Sequence, residues 1–314
     1  MKYKYIKRTI WILLTGFILM NAIAALHAYK FTHFTTEDIP KTKDATKLNT
    51  SQKIKTLVFG VNNPRPVNDK FPEQPYQTIL LQSNRDIECW YIPRTDAHGT
   101  VIIYHGFSGN KSSMLDKAHE FHNMGYNVLM VDFMGSGGSQ GIQTTIGYFE
   151  ADQVKTSFDY ISNKGEQNIF LFGTSMGSVA IMKAIHDFEI KPKGIIIECP
   201  FGSMYKTVCA RFKMMNTPCF PMAGLLVFWG GIENGFWAFD HNPTEYAKKI
   251  DCPTLLLYGK QDKKVSRAET DEMIANLRGD KRLVVYPNAG HEDLLNNDAK
   301  AWRQDITNFL ASIQ

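Results

Sequence analysis

The 314-residue chain is 44% hydrophobic, carries a formal net charge of +4 and has five cysteines, which suits one large α/β domain or two small ones with a real core. Lys2, Lys4, Lys7 and Arg8 precede the first acid, Glu37, and the rest of the chain is close to neutral, which excludes a basic field for nucleic acid. Cys89, Cys199, Cys209, Cys219 and Cys252 form no C-x-x-C pair, which argues against a zinc ribbon.

The basic start is followed by IWILLTGFILMNAIAALHAY over residues 10–29. Such a stretch is long enough to span a bilayer, and the cationic flank predicts a cytoplasmic N-terminus with the remainder exported. Ala22-Ile23-Ala24 offers a signal-peptidase site as the alternative; the continued apolarity to Tyr29 favours an uncleaved anchor over residues 1–29. Residues 30–55 are polar, rich in Thr and Lys, and read as a stalk. The odd cysteine count leaves at least one free thiol in an exported domain. Cys209 and Cys219 are near enough in sequence for a disulfide, which spacing alone does not decide.

From residue 56 the pattern becomes that of a folded domain running to 314. TILLQS (78–83) and IECWYIPR (87–94) read as a hairpin. Strands then alternate with helices: strands at 101–106, 127–133, 168–173, 194–200, 254–259 and 282–287, and helices around 111–124, 147–163, from 176, 266–277 and 298–312. Short Val/Ile/Leu strands between amphipathic helices predict a mostly parallel sheet covered on both sides. Residues 201–246 break the alternation. They hold no clear strand and include CFPMAGLLVFWGGIENGFWAF (219–239). Pro221, Gly230-Gly231, Glu233 and Asn234 interrupt it as a second membrane span, so it reads as a helical lid insertion over the sheet's active edge.

Functional groups of open parallel sheets sit at the carboxyl ends of the strands. Four polar segments fall there: His105-Gly106-Phe107-Ser108-Gly109-Asn110, Ser175 within Gly173-Thr174-Ser175-Met176-Gly177, Lys260-Gln261-Asp262, and Asn288-Ala289-Gly290-His291. A serine between two glycines at a strand-to-helix turn stands proud of the sheet. It needs a histidine to take its proton and a carboxylate to hold the imidazole tautomer. Glu198, also at a strand end, is the rival to Asp262 as that carboxylate. His105 reads as a support for its loop, and Asp132 as a support for the glycine loop that follows it.

In the order Ser175, Asp262, His291, the segments YHGFSGNKS, VDFMGSGGSQG, GTSMGS, PTLLLYGKQDKKVS and NAGHEDL resemble the α/β-hydrolase superfamily, in its serine aminopeptidase-like and monoacylglycerol-lipase-like branch. The resemblance implies Ser175 as nucleophile, Asp262 as acid and His291 as base, with the backbone N–H groups of Phe107 and Met176 as oxyanion hole. It implies a serine hydrolase acting on esters of small-molecule or lipid-like substrates, with no metal and no cofactor, and the apolar insertion at 201–246 favours apolar acyl groups. Two further readings stay open: an aminopeptidase-like peptidase, using Glu198 and Glu233 to hold a substrate ammonium, and a membrane-tethered binding module without activity. Gly135–Gly141 fails as a dinucleotide loop, because Gln140 replaces the last glycine. His119-Glu120-Phe121-His122 is one residue short of H-E-x-x-H.

Overall fold

The computed structural model describes residues 2–42, 49–291 and 293–313. Residues 43–48, within the expected stalk, lie outside the described residues; α-helix α1 (Lys2–Thr32) precedes them and α2 (Thr50–Phe59) follows. Next come β1 (Gln77–Leu81), β2 (Ile87–Ile92) and β3 (Thr100–Tyr104), then a 3-10 segment, Lys111–Met114, leading into α3 (Leu115–Asn123). The alternation continues with β4 (Asn127–Val131), α4 (Glu150–Asn163), β5 (Ile169–Thr174), α5 (Met176–Phe188) and β6 (Gly194–Glu198). Helices α6 (Met204–Met214) and α7 (Met222–Asn234) fill the strandless stretch. The chain ends with α8 (Pro243–Tyr246), β7 (Thr254–Gly259), α9 (Arg267–Asn276), β8 (Lys281–Tyr286), α10 (Leu294–Asn297) and α11 (Ala299–Ser312).

The strands form an eight-stranded sheet in the order β1-β2-β4-β3-β5-β6-β7-β8. Only β2 runs against its neighbours, antiparallel to both β1 and β4; all other pairs are parallel. Side chains alternate across a strand, so β3 sends Val101 and Ile103 to one face and Ile102 and Tyr104 to the other. The first face packs with Phe121 and Trp302, the second with Val154 and Ala180. Every residue of β3, β6 and β7 is buried, which is why these strands are unbroken apolar runs and not alternating ones. This is an α/β-hydrolase fold.

By compactness the chain divides into two units, Arg65–Ser203 with His241–Gln314, and Met1–Pro64 with Met204–Asp240. The first contains the sheet. In the second, α1 packs along α7. Trp229 Nε1 donates to Asn21 Oδ1 at 3.1 Å, and Asn234 Nδ2 donates to Thr32 Oγ1 at 3.1 Å. Gly230 faces Ala28 across the pair: a Cβ there would lie 3.9 Å from that of Ala28, in ordinary van der Waals contact. The N-terminal two-thirds of α1 is exposed, including Ile10, Trp11, Leu13, Phe17 and Leu19. At 1.5 Å per residue α1 is about 46 Å long, and by length and composition it is able to cross a membrane. Cys209 and Cys219 are free thiols.

Candidate active site

The site is built from three loops at the carboxyl edge of the sheet. Strand β5 ends at Thr174 and α5 begins at Met176, so the chain turns on Ser175 alone. That residue takes φ 52° and ψ −108°, a conformation L-residues adopt only under constraint. The constraint is visible in the flanking glycines. A Cβ on Gly173 would sit 2.5 Å from the carbonyl carbon of Gly177, and one on Gly177 would sit 2.4 Å from Tyr104 O. Neither position tolerates a side chain. The turn is pinned by Ser175 N–H donating to Glu198 O at 2.8 Å and by Ser178 Oγ donating to Gly173 O at 2.6 Å.

The loops after β7 and β8 deliver Asp262 and His291. Ser175 Oγ lies 2.9 Å from His291 Nε2, and His291 Nδ1 lies 2.7 Å from Asp262 Oδ2. Asp262 Oδ1 accepts from the backbone N–H of Lys264 at 2.7 Å and of Val265 at 3.0 Å, which leaves Oδ2 for the imidazole. The Asp262 side chain is fully buried and that of His291 is 15% exposed, so the carboxylate is shielded while the imidazole remains reachable. A neutral imidazole bonded this way carries its proton on Nδ1 and presents Nε2 as an acceptor to the serine hydroxyl.

The loop after β3 runs beside the turn: a Cβ on Gly106 would come within 3.8 Å of Ser175 Cβ. Phe107 follows it, half-buried. Met176 opens α5, where helix N–H groups lack intrahelical partners. His105 is completely buried, with Phe133 N–H donating to Nε2 at 3.1 Å and Nδ1 2.8 Å from Gly106 O. Burial pushes its pKa down, so it stays neutral and holds the loop, as the sequence suggested.

Glu198 is not linked to the imidazole. It is fully buried, accepting from Trp302 Nε1 at 2.7 Å and from Thr174 Oγ1 at 3.0 Å, and burial pushes its carboxyl above the usual range. Both oxygens are engaged inside the sheet layer, so it cannot reach out to a substrate ammonium either. Glu233 belongs to α7 in the other compact unit.

Sequence reasoning missed Lys111. Its ammonium is wholly buried, paired with Asp132 and, at 2.6 Å, with Glu88 Oε1, and lies 4.3 Å from the Trp90 ring centroid. Asp132 also accepts from Lys111 N at 2.7 Å, Asn68 Nδ2 at 2.8 Å and Gly138 N at 2.9 Å. Burial works to raise the Asp132 pKa, but the Lys111 charge and these donors hold it below the usual carboxylate range. The network ties the loop after β3 to the glycine loop after β4. Lys111 follows Asn110, which caps the 3-10 segment; nothing in that local pattern signals a buried charge.

The decoys resolve as structure. The 135–141 loop turns its carbonyls, not its N–H groups, to a cation: Arg65 donates to Gly137 O at 2.8 Å, Ser139 O at 2.5 Å and Gly141 O at 3.2 Å. Glu120 of the H-E-F-H segment is paired with Arg303 at 2.7 and 2.8 Å.

The family model described as serine aminopeptidase, S33, matches residues 95–227 and 241–298, a span that contains Ser175, Asp262 and His291. The chain belongs to this family of hydrolases. It is 26% identical over 255 residues to an uncharacterized protein of Bacillus subtilis, YqkD, covering 79% of this chain and 84% of that one. It is 24% identical over 263 residues to the monoacylglycerol lipase abhd6-B of Xenopus laevis, covering 68% of this chain and 76% of that one. Among solved structures, the Pyrococcus furiosus esterase Pf2001 shares the fold with a TM-score of 0.68 at 23% identity, covering 80% of this chain and 97% of that one.

Proposed function

We propose that the protein is a serine hydrolase that cleaves carboxylic esters with apolar acyl groups, through an acyl-enzyme on Ser175. The observation that carries this reading is the continuous hydrogen-bonded chain from Ser175 Oγ through His291 to Asp262. Nε2 takes the hydroxyl proton as Oγ attacks the substrate carbonyl. Asp262 steadies the imidazolium, and Nε2 then returns the proton to the departing alcohol. Water repeats the cycle on the acyl-enzyme, releasing the acid. The backbone N–H groups of Phe107 and Met176 receive the oxyanion, each contributing on the order of 3 kcal/mol of transition-state stabilisation. The chemistry needs no metal and no cofactor.

The ester reading draws support from the esterase and monoacylglycerol lipase among the similar proteins and from the apolar composition of 219–239. The family description supports a second reading, an aminopeptidase-like peptidase. That reading is weakened by Glu198, whose carboxylate is engaged by Trp302 and Thr174. Residues 10–29 are proposed as a single membrane span, with the hydrolase unit outside the cytoplasm.

The test is kcat/KM of the purified full-length chain on p-nitrophenyl esters of two to twelve carbons, against aminoacyl-nitroanilides. Each methylene that leaves water contributes about 0.8 kcal/mol. Four of them, felt in the transition state, raise kcat/KM by roughly two orders of magnitude. A profile that is flat or falls from the acetyl ester contradicts the acyl preference, and faster nitroanilide cleavage selects the peptidase.

A further inference from the structure

The hydrolytic scheme leaves one nucleophilic group beside the site unused. Cys199 directly follows β6, takes φ 45° and is 3% exposed, its N–H donating to Leu257 O at 2.9 Å. Its thiol is free. One ligating atom each from Cys199, Asp262 and His291 lie within 4.8 Å of one another. A thiol, an imidazole and a carboxylate converging on one point make a zinc-type donor set, with a fourth position left for water.

We propose that Cys199, His291 and Asp262 form an inhibitory site for a thiophilic divalent cation, Zn²⁺ in the first instance, and that its occupancy switches the hydrolase off. The inference rests on the assignment of His291 as the base. Tetrahedral zinc at its usual bond lengths holds ligand atoms roughly 3.3–3.7 Å apart, so His291 Nδ1 and Asp262 Oδ2 must part from 2.7 Å, while any pair near the 4.8 Å limit draws in by about an ångström. Because the cation carries its own charge, it deprotonates the thiol it binds.

The proton accounting explains the loss of activity. The imidazole ligates through Nδ1, the nitrogen now facing Asp262 Oδ2, and its proton moves to Nε2. The thiol proton is released to solvent, so one proton leaves per ion bound. Asp262 turns its charge from the imidazole N–H to the metal. Nε2 then bears a hydrogen and has no lone pair for the Ser175 hydroxyl. Ser175 itself is untouched, so removing the ion restores the base.

Two measurements on the full-length chain in detergent test this. The first titrates ester hydrolysis with Zn²⁺, each protein referred to its own metal-free rate. The inhibition constant is expected to weaken at least tenfold in Cys199→Ala and in the closer-sized Cys199→Ser, and a chelator is expected to restore wild-type activity. The second follows the ultraviolet thiolate-to-cadmium charge-transfer band on adding Cd²⁺, as a difference between wild type and each cysteine variant. This subtracts the other four thiols. A Cys199-dependent band is expected to persist in Ser175→Ala and to be lost in His291→Ala. Equal Zn²⁺ inhibition of wild type and both cysteine variants overturns the proposal, because the metal then acts without the thiol. So does a Cd²⁺ difference spectrum without a Cys199-dependent band. Undiminished hydrolysis by Ser175→Ala removes the serine mechanism instead and leaves the band to report the metal site by itself.

Discussion

The two compact units of this chain differ in how far they leave large apolar side chains exposed and buried polar atoms without partners. In the hydrolase unit these buried polar groups have partners: Lys111 is paired with Asp132 and Glu88, Glu198 accepts from Trp302 and Thr174, and Asp262 accepts from two backbone donors and faces His291. In the other unit, α1 exposes a band of large apolar side chains, and Phe220, Ile232 and Trp237 are exposed as well. Among the described residues, the two buried side-chain atoms without a hydrogen-bond partner, Glu233 Oε2 and Asn234 Oδ1, both belong to that unit. A unit made for water hides its apolar atoms and satisfies its polar ones. Extended exposed apolar surface marks a unit made for a different surrounding, such as a lipid or another protein. The contrast separates a unit that holds the candidate site from a unit whose exposed apolar surface is concentrated on α1, the helix that packs along α7.

The largest effect expected from this contrast is all or none. Full-length protein stays entirely in the membrane fraction after alkaline carbonate washing, and a periplasm-active reporter fused after residue 55 is active. A carbonate-soluble chain, or a reporter active only in the cytoplasm, means that the apolar surface of α1 serves some other contact.

Next in size is the acid of the site. Asp262→Asn is expected to lower kcat on esters by ~10³–10⁴, because an amide neither holds the Nδ1–H tautomer nor stabilises the imidazolium. Glu198→Gln is expected to cost less than about tenfold, since its partners are Trp302 and Thr174 and not the imidazole. The reverse order in a side-by-side kinetic comparison transfers the acid to the end of β6.

The smallest of the three tests the paired charges directly. Lys111→Met leaves Asp132 buried without its counter-charge, which in other buried pairs costs about 3–5 kcal/mol. Denaturant unfolding of the hydrolase unit, followed by fluorescence, measures it. A loss below about 1 kcal/mol means that the remaining donors to Asp132 are sufficient without the ammonium.

What the sequence made legible follows from how local each feature is. The turn at Ser175 depends on five adjacent residues, and β7 and the helix after it are bounded by their own Thr254, Gly259 and Ser266 cap. These are read without knowing the fold. The order Ser175, Asp262, His291 became informative once the strand ends were aligned along one edge. Lys111 was not legible, because its two acids come from β2 and the end of β4, which become neighbours of its loop only in the folded sheet. The pairing of α1 with α7 was not legible either. It joins Asn21 to Trp229 and Thr32 to Asn234, and nothing in either apolar helix identifies the other as its partner.

The central claim is that Ser175 is an activated nucleophile. It is tested most directly by incubating the full-length chain with a fluorophosphonate probe and locating the adduct by peptide mass spectrometry. One adduct per chain on Ser175 is expected, absent from Ser175→Ala and strongly slowed in Asp262→Asn. An unlabelled, folded wild-type chain, or an adduct on another residue that persists in Ser175→Ala, contradicts the account and favours a membrane-tethered binding role for the same fold.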